Sequence, residues 1–495
     1  MFDMLYRNGL IVLFLNTEFQ EVTDDEIQAV VEKVDDDFIK KHILDGPSAL
    51  AAGRSNLPRI ETMNDLNWAL RRFGGFKTTT YQKGTIDQLF FGKTEKGRCA
   101  HCGSTDDVIG NTAAIFPYEV EWGKGQGLFL APPQKRLAFC RRCAFLIYSG
   151  MGNTFNVLSG QNGRKQKVRR INIIFDSILL ASLCLMVKNF RRIQTFANSN
   201  ARKLTLVPGS THDALLFSIY EFFCTLAKIS PAPAETNDDE KTSANEGGLP
   251  DGSIITNADF APFKFVENIN MFYLTSGKKE IPEGGMIDGN RLFGLMRFFM
   301  LLHKTANKTD ATGRRRPPFE AFMKGMTFQG SNEADMLRNE FCGRLLNKEV
   351  SYHLITKLIF LKLGDKKQKD LIKKGFSPAP PYYRIVIRRY LEVFGTEEER
   401  KRFDELNRLG YYIGTAMKGT KNLENFVWEV FRARGFEELL GALSELQLKL
   451  KQEQDWRPVL DNKNDWKTTK SIILNGMING IYSGQREVKK REEGN

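Results

Sequence analysis

The chain has 495 residues, of which 41% are hydrophobic and 26% charged, and its formal net charge is +13. That is enough apolar material for sizeable cores in roughly two to four domains, and the basic surplus favours an anionic partner, nucleic acid or a membrane surface. No segment reaches the roughly 18 consecutive apolar residues of a membrane-spanning helix, which excludes a helical integral membrane protein.

In chain order, Leu10–Leu15 is a short apolar run followed by Asn16 and Glu18. It has no small-residue cleavage site, so it reads as a buried strand and not as a signal peptide, and the expected compartment is the cytoplasm, where thiols stay reduced. Thr23-Asp24-Asp25-Glu26 supplies helix-start chemistry, and Ile27, Val30, Val31 and Val34 follow at helical spacing. Asp35, Asp36 and Asp37 close that pattern and read as a solvated helix end, because adjacent helical residues diverge and do not converge on a metal.

Residues 54–98 are mixed, and Ala114–Leu130 is a β-rich stretch dense in aromatics and glycine. Phe155–Leu158 and Val168–Phe175 read as two strands joined through Asn162-Gly163, a strong hairpin turn. Ser177–Phe190 and Asp213–Leu226 read as largely buried helices. Pro231–Gly252 has almost no large apolar residue and reads as a linker, and Lys304–Pro318 is a second polar break. From Phe341 onward the chain reads as helices, with Phe426, Val427, Val430 and Phe431 on one apolar face and Leu439, Leu443, Leu446 and Leu450 on another. This last segment carries most of the basic surplus. The expected fold is α+β. A mixed N-terminal body spans 1–230 with an embedded zinc ribbon at about 99–143, a linker spans 231–252, the body continues over 253–340, and an all-α helical bundle fills 341–495.

Four of the seven cysteines form two tight pairs, Cys99-Ala-His-Cys102-Gly and Cys140-Arg-Arg-Cys143. Two residues between cysteines let both thiolates of a knuckle reach one ion, and two knuckles complete a tetrahedral site for one structural zinc. Gly103 suits the turn of such a knuckle. The 37 residues between the pairs exceed the spacing of compact ribbons, but an insertion at the ribbon tip leaves the ligands in place. A redox pair would need one reactive CxxC, not two. Four unrelated thiols, or His101 in place of one cysteine, are the remaining alternatives. Cys184, Cys224 and Cys342 stand alone in apolar surroundings and read as core.

Basic residues cluster three times. Gln161 and Asn162 with Arg164, Lys165, Lys167, Arg169 and Arg170 form a hairpin tip in which amides suit base edges and cations suit phosphates. Arg314, Arg315 and Arg316 form a second cluster. Lys362, Lys366, Lys367, Lys369, Lys373 and Lys374 lead to Arg384, Arg388 and Arg389, a row suited to following a phosphate backbone. Each cluster alone also reads as solvated surface. They do not lie opposite an apolar face of the interfacial kind, which favours nucleic acid over membrane.

Catalytic signatures are missing from the sequence. There is no phosphate-binding GxxxxGK[ST] loop and no Gly-x-Ser-x-Gly elbow, and Gly284-Gly285 is followed by Met286-Ile287 where a polymerase-like palm would carry aspartates. His212-Asp213 suggests a phosphohydrolase pair, but it precedes an apolar stretch and reads better as a helix start. The chain is therefore expected to bind and not to catalyse, with no small-molecule substrate. A zinc-ribbon nucleic-acid-processing enzyme and an RNA-processing scaffold are the rivals.

The apolar Asn8–Val12 segment, the CxxCG and CxxC separated by an aromatic and glycine-rich insert, and the basic helical end together resemble the large subunit of type I-B CRISPR surveillance complexes (Cascade), the branch with a four-cysteine zinc site. The resemblance implies a ribonucleoprotein role in antiviral defence. Such a subunit sits with the backbone, 5′-handle-binding and small subunits on the crRNA, reads the protospacer-adjacent motif of double-stranded target DNA, and docks a helicase-nuclease, while guide pairing reads the target. It also implies that the helical end can be made separately by internal translation, for which Met323, Met326 and Met336 are candidate starts.

Overall fold

The computed structural model describes residues 2–15, 21–44, 90–92, 94–105, 107–109, 138–159, 169–190, 211–227, 257–276, 284–305, 318–328, 331–373, 377–418, 424–451 and 453–482. Contacts divide the chain into one unit of Met1–Ile229 with Ala261–Phe293 and a second of Ser230–Phe260 with Gly294–Asn495. The expected β-rich stretch at 114–130, the linker at 231–252 and the basic cluster at 314–316 lie outside the described residues.

The first unit opens with a helix, α1 (Phe2–Phe14), which corrects the strand expected at Leu10–Leu15. Every residue from Asn8 to Phe14 is buried. A helix covered nearly all round shows no 3.6-residue alternation, so its apolar run has the pattern of a buried strand. Next come α2 (Asp24–Ala29), whose N-cap Thr23 accepts from the Glu26 N–H, a 3₁₀ turn (Val30–Lys33), and α3 (Asp36–Leu44). Ile27, Val30 and Val34 are buried as the spacing predicts. Asp35 Oδ1 accepts from the Phe38 N–H at 2.7 Å, so the aspartate triplet starts a helix where the sequence reading ended one.

Two antiparallel sheets follow. The smaller runs β1 (Thr94–Lys96), β2 (Asp107–Ile109) and β3 (Phe139–Cys140), and it leads directly into α4 (Arg141–Gly150). The larger has the order β4 (Phe155–Ser159), β5 (Arg169–Asp176), β6 (Asn270–Ser276) and β7 (Gly284–Ile287). Phe155 faces Ile173 and Ser159 faces Arg169, the hairpin pairing that Asn162-Gly163 predicts, although the turn itself lies outside the described residues. Helices α5 (180–190) and α6 (Thr211–Leu226) contribute to the core, where Phe190 meets Phe155 and Phe175 with ring centroids 4.9 Å apart and Phe222 at 5.6 Å. Cys184 and Cys224 are buried in these helices, and Cys342 is buried in the second unit, as core residues.

The N-terminal helix is seated by backbone contact. A Cβ built on Gly9 would lie 1.9 Å from the Leu146 carbonyl oxygen, and one on Gly150 would lie 1.8 Å from that of Leu5. Only glycine lets α1 and α4 approach so closely. Beside this contact the buried Asn8 amide donates to the carbonyls of Met4 and Phe175, and Asn153 donates to Asn8 O at 3.0 Å. Arg7 forms a two-pronged pair with Asp176 on β5, both bonds 2.8 Å.

The second unit is helical in its described residues: most of α7 (Gly289–Thr305), then α8 (Pro318–Gly325), α9 (Asn332–Leu346), α10 (Tyr352–Gly364), α11 (Lys366–Lys373), α12 (Tyr383–Phe394), α13 (Glu397–Ala416), α14 (Glu424–Arg432), α15 (Phe436–Leu450), α16 (Arg457–Leu460) and α17 (Trp466–Tyr482). Leu439, Leu443 and Leu446 of α15 are buried, with Phe426, Val427 and Val430 of α14, on the faces predicted. Helix α13 begins with a reciprocal capping box between Thr396 and Glu399. Glycines again let helices touch: a Cβ on Gly414 would meet Met477 O at 2.0 Å, and one on Gly476 would meet Asn407 O at 2.5 Å.

Gly150→Ala is expected to lower the unfolding free energy by the ~1–3 kcal/mol typical of overpacking, seen as a lower urea midpoint. Gly441→Ala, where an added Cβ meets nothing within 4 Å, should raise stability by up to about 1 kcal/mol. Circular dichroism across a urea titration of both variants checks this.

Candidate metal centre

The two cysteine pairs converge. Among the described residues, Cys99, Cys102, Cys140 and Cys143 form a group whose sulfurs all lie within 4.8 Å of one another. Cys102 Sγ and Cys140 Sγ are 3.8 Å apart. Four sulfurs at about 2.3 Å from a central ion have edges of roughly 3.8 Å, so the spacing fits tetrahedral coordination. The cluster can bind a metal ion and is compatible with one zinc.

Each half of the site has a local cause. The first knuckle is the loop between β1 and β2. The Cys99 N–H donates to Ser104 O at 2.8 Å, the Gly103 N–H donates to Cys99 O at 3.0 Å, and Gly103 takes a φ of +74°, open to glycine at little cost. The second knuckle is the start of α4, with Cys140 as its N-cap and Cys143 in its first turn, where the helix dipole favours thiolates. Strand pairing joins the halves: Val108 faces Cys140 and Ile109 faces Phe139, so the chain between β2 and β3 leaves and returns at one place. The insertion between the pairs therefore does not separate them. The Ala100 N–H donates to Ala138 O at 2.8 Å and ties the first knuckle to the strand of the second.

Crowding shows in the ionisation of the thiols. Cys140 is held down at about 5, chiefly by its hydrogen bond with Cys143, against the opposing effect of burial. Cys143 is pushed up by that same hydrogen bond, by burial and by the negative charge of the other three cysteines. Burial raises Cys99. Burial also opposes ionisation of Cys102, but hydrogen bonding at Ser104 and Cys99 together lowers the thiol on balance. One proton stays where another sulfur takes the charge, and a divalent cation removes this competition by favouring all the thiolates together.

His101 is not brought in as a fifth donor. Its Nδ1 lies 3.1 Å from Asp3 Oδ1, and its ring packs on Tyr6 with centroids 3.9 Å apart. The sequence reading missed Asp3 and Tyr6, and nothing in a pattern 93 or more positions upstream could signal them. It also missed the two arginines between Cys140 and Cys143. Arg141 pairs with Asp36 and donates from Nε to Phe90 O at 2.9 Å, and Arg142 Nε donates to Val34 O at 2.9 Å, so both anchor the centre to the segment around α3.

Gln161, Asn162, Arg164, Lys165 and Lys167 lie outside the described residues, and Arg169 and Arg170 are placed only as backbone positions on β5. Lys362 is a correction to the expected exposed row: it is buried, and its Nζ donates to Gly325 O. Arg384 and Arg388 do share a face of α12, but both lie by Asp404, at 4.0 and 3.6 Å, and Arg389 donates to Glu392 at 2.7 Å. Their charge is thus partly matched within the unit. Lys366, Lys367 and Lys369 are exposed and have no ion pair among the described residues. His212 and Asp213 lie in the first turn of α6, as the helix-start reading expects, and join no metal-ligand group among the described residues.

No protein-family model matches the chain, and a search of curated proteins finds no match either. Among the described residues no helix is long and apolar enough to cross a membrane.

Cys102→Ser or Cys143→Ser should lose bound metal and lower the first thermal transition, whereas His101→Ala should keep one metal per chain. Elemental analysis after dialysis, alongside a melting curve, distinguishes the two outcomes.

Proposed function

We propose that this chain is a non-catalytic subunit of a nucleic-acid-handling complex, and specifically the large subunit of a type I-B CRISPR surveillance complex. The observation that carries the reading is the four-sulfur cluster set in a three-stranded ribbon and followed by a helical unit. The ion is zinc: four thiolates at tetrahedral spacing suit it, and they leave no open position for substrate or water, so the role is structural. The +13 charge suits a polyanionic partner.

In this reading the subunit works in the cytoplasm with the backbone, 5′-handle-binding and small subunits, crRNA, target duplex DNA and a helicase-nuclease. Gln161 and Asn162 contact base edges of the protospacer-adjacent motif, with Arg164, Lys165, Lys167, Arg169 and Arg170 on phosphates. Arg314, Arg315 and Arg316 form a further arm, and exposed Lys366, Lys367 and Lys369 join Arg384, Arg388 and Arg389 on the helical unit. An internal product of the helical end starts at Met323, Met326 or Met336.

Purification of the tagged chain from its own cells should bring down RNA containing a CRISPR repeat, together with one zinc per chain. RNA of unrelated sequence, a metal-free protein, or magnesium-dependent cleavage by the isolated chain would each sink the proposal. Replacing Arg164 and Lys165 with alanine should weaken duplex binding by a similar factor on matched and mismatched motifs; a loss confined to matched DNA in gel-shift titrations would show that they read bases.

A further inference from the structure

The metal cluster is not equally enclosed on all sides. Cys99 and Cys143 are buried, Cys140 is half-buried, and Cys102 is exposed. The first two turns of α1 approach it. The Tyr6 ring lies on His101, the residue just before Cys102, and Asp3 Oδ1 faces His101 Nδ1. Tyr6 itself is half-buried.

The same helix cannot slide or tilt independently. Gly9 meets the Leu146 backbone and Gly150 meets the Leu5 backbone, Asn8 is bonded to Phe175 O, and Arg7 is paired with Asp176. Its first turns are therefore held at a fixed height over the knuckle by contacts made beside them and within the next two turns. The second half of the cluster sits at the start of α4, the helix against which α1 is locked.

We propose that Asp3, Tyr6 and His101 form a clasp over the metal centre, so that seating of α1 and retention of the ion are coupled. Groups beyond the ligands orient them and control solvent access, and their loss commonly changes metal affinity by about 10–100-fold. Linkage makes the effect reciprocal: an ion bound only when α1 is seated stabilises the seated helix. Tyr6 and His101 are positioning residues, since neither donates to the ion. The inference rests on metal binding by the four cysteines and is independent of the partner assigned to the protein.

The test uses the full chain loaded with zinc, with release followed by the absorbance of the chromophoric chelator 4-(2-pyridylazo)resorcinol. Tyr6→Ala and His101→Ala should bind one zinc per chain and release it about 10–100-fold faster than the unsubstituted protein. Tyr6→Phe, which keeps the ring, should restore slow release, and Tyr412→Ala on α13 should leave it unchanged. Hydrogen exchange on the unsubstituted protein gives a second readout that needs no variant: removing zinc should deprotect amides of α1 and leave those of α13 unmoved. Unchanged release in Tyr6→Ala and His101→Ala, or unchanged α1 protection without zinc, overturns the clasp. A chain that binds no zinc at all overturns the metal reading instead.

Discussion

Two helices that touch with no side chain between them hold the first unit together. At Gly9 and Gly150 the backbones of α1 and α4 are so close that a single methyl would overlap a carbonyl oxygen. Contact at this range brings many atoms of both backbones within dispersion distance and leaves almost no freedom of crossing angle or register. Part of the four-cysteine cluster shares that rigidity. Cys140 and Cys143 ride on the start of α4, and Asp3 and Tyr6 ride on the start of α1, so their relative positions follow from glycine contacts further along both helices.

Polar groups reinforce this joint. Asn8 is fully buried, and its amide bridges the α1 backbone to Phe175 O on β5, while Asn153 closes the set from the turn after α4. A buried amide without partners would cost a few kcal/mol, so this satisfied set disfavours other arrangements of the three elements. The helical unit uses the same device. Glycines press α13 on α17, and Asn475 donates to the Tyr383 hydroxyl while accepting from Thr356. In both places small residues permit the approach and buried amides specify it.

The cations divide by environment. Lys362 is spent on a backbone carbonyl, Arg141 and Arg142 tie α4 to the segment around α3, and Arg388 and Arg389 lie against carboxylates of the same unit. A formal charge read from composition therefore overstates the charge presented to a partner, because paired surface ions are largely neutralised at short range. Lys366, Lys367 and Lys369 of α11 are exposed and available to attract a polyanion.

The four thiols, the knuckle glycine, the β4–β5 hairpin and the helical C-terminal region were legible in the amino-acid sequence, because each rests on chemistry within a few residues. CxxC spacing, a glycine tolerant of positive φ, Asn-Gly and leucines three or four apart act locally, whatever the rest of the chain does. Tertiary structure decided the rest: that the first apolar run is a helix and not a strand, that Lys362 faces inward, that the arginines of the second knuckle are anchors, and that Tyr6 and Asp3 reach a cysteine loop more than ninety residues away. Those outcomes depend on which surfaces meet. A run buried on every side loses the periodicity that would reveal its secondary structure, and a contact between distant residues leaves no mark in the spacing of either.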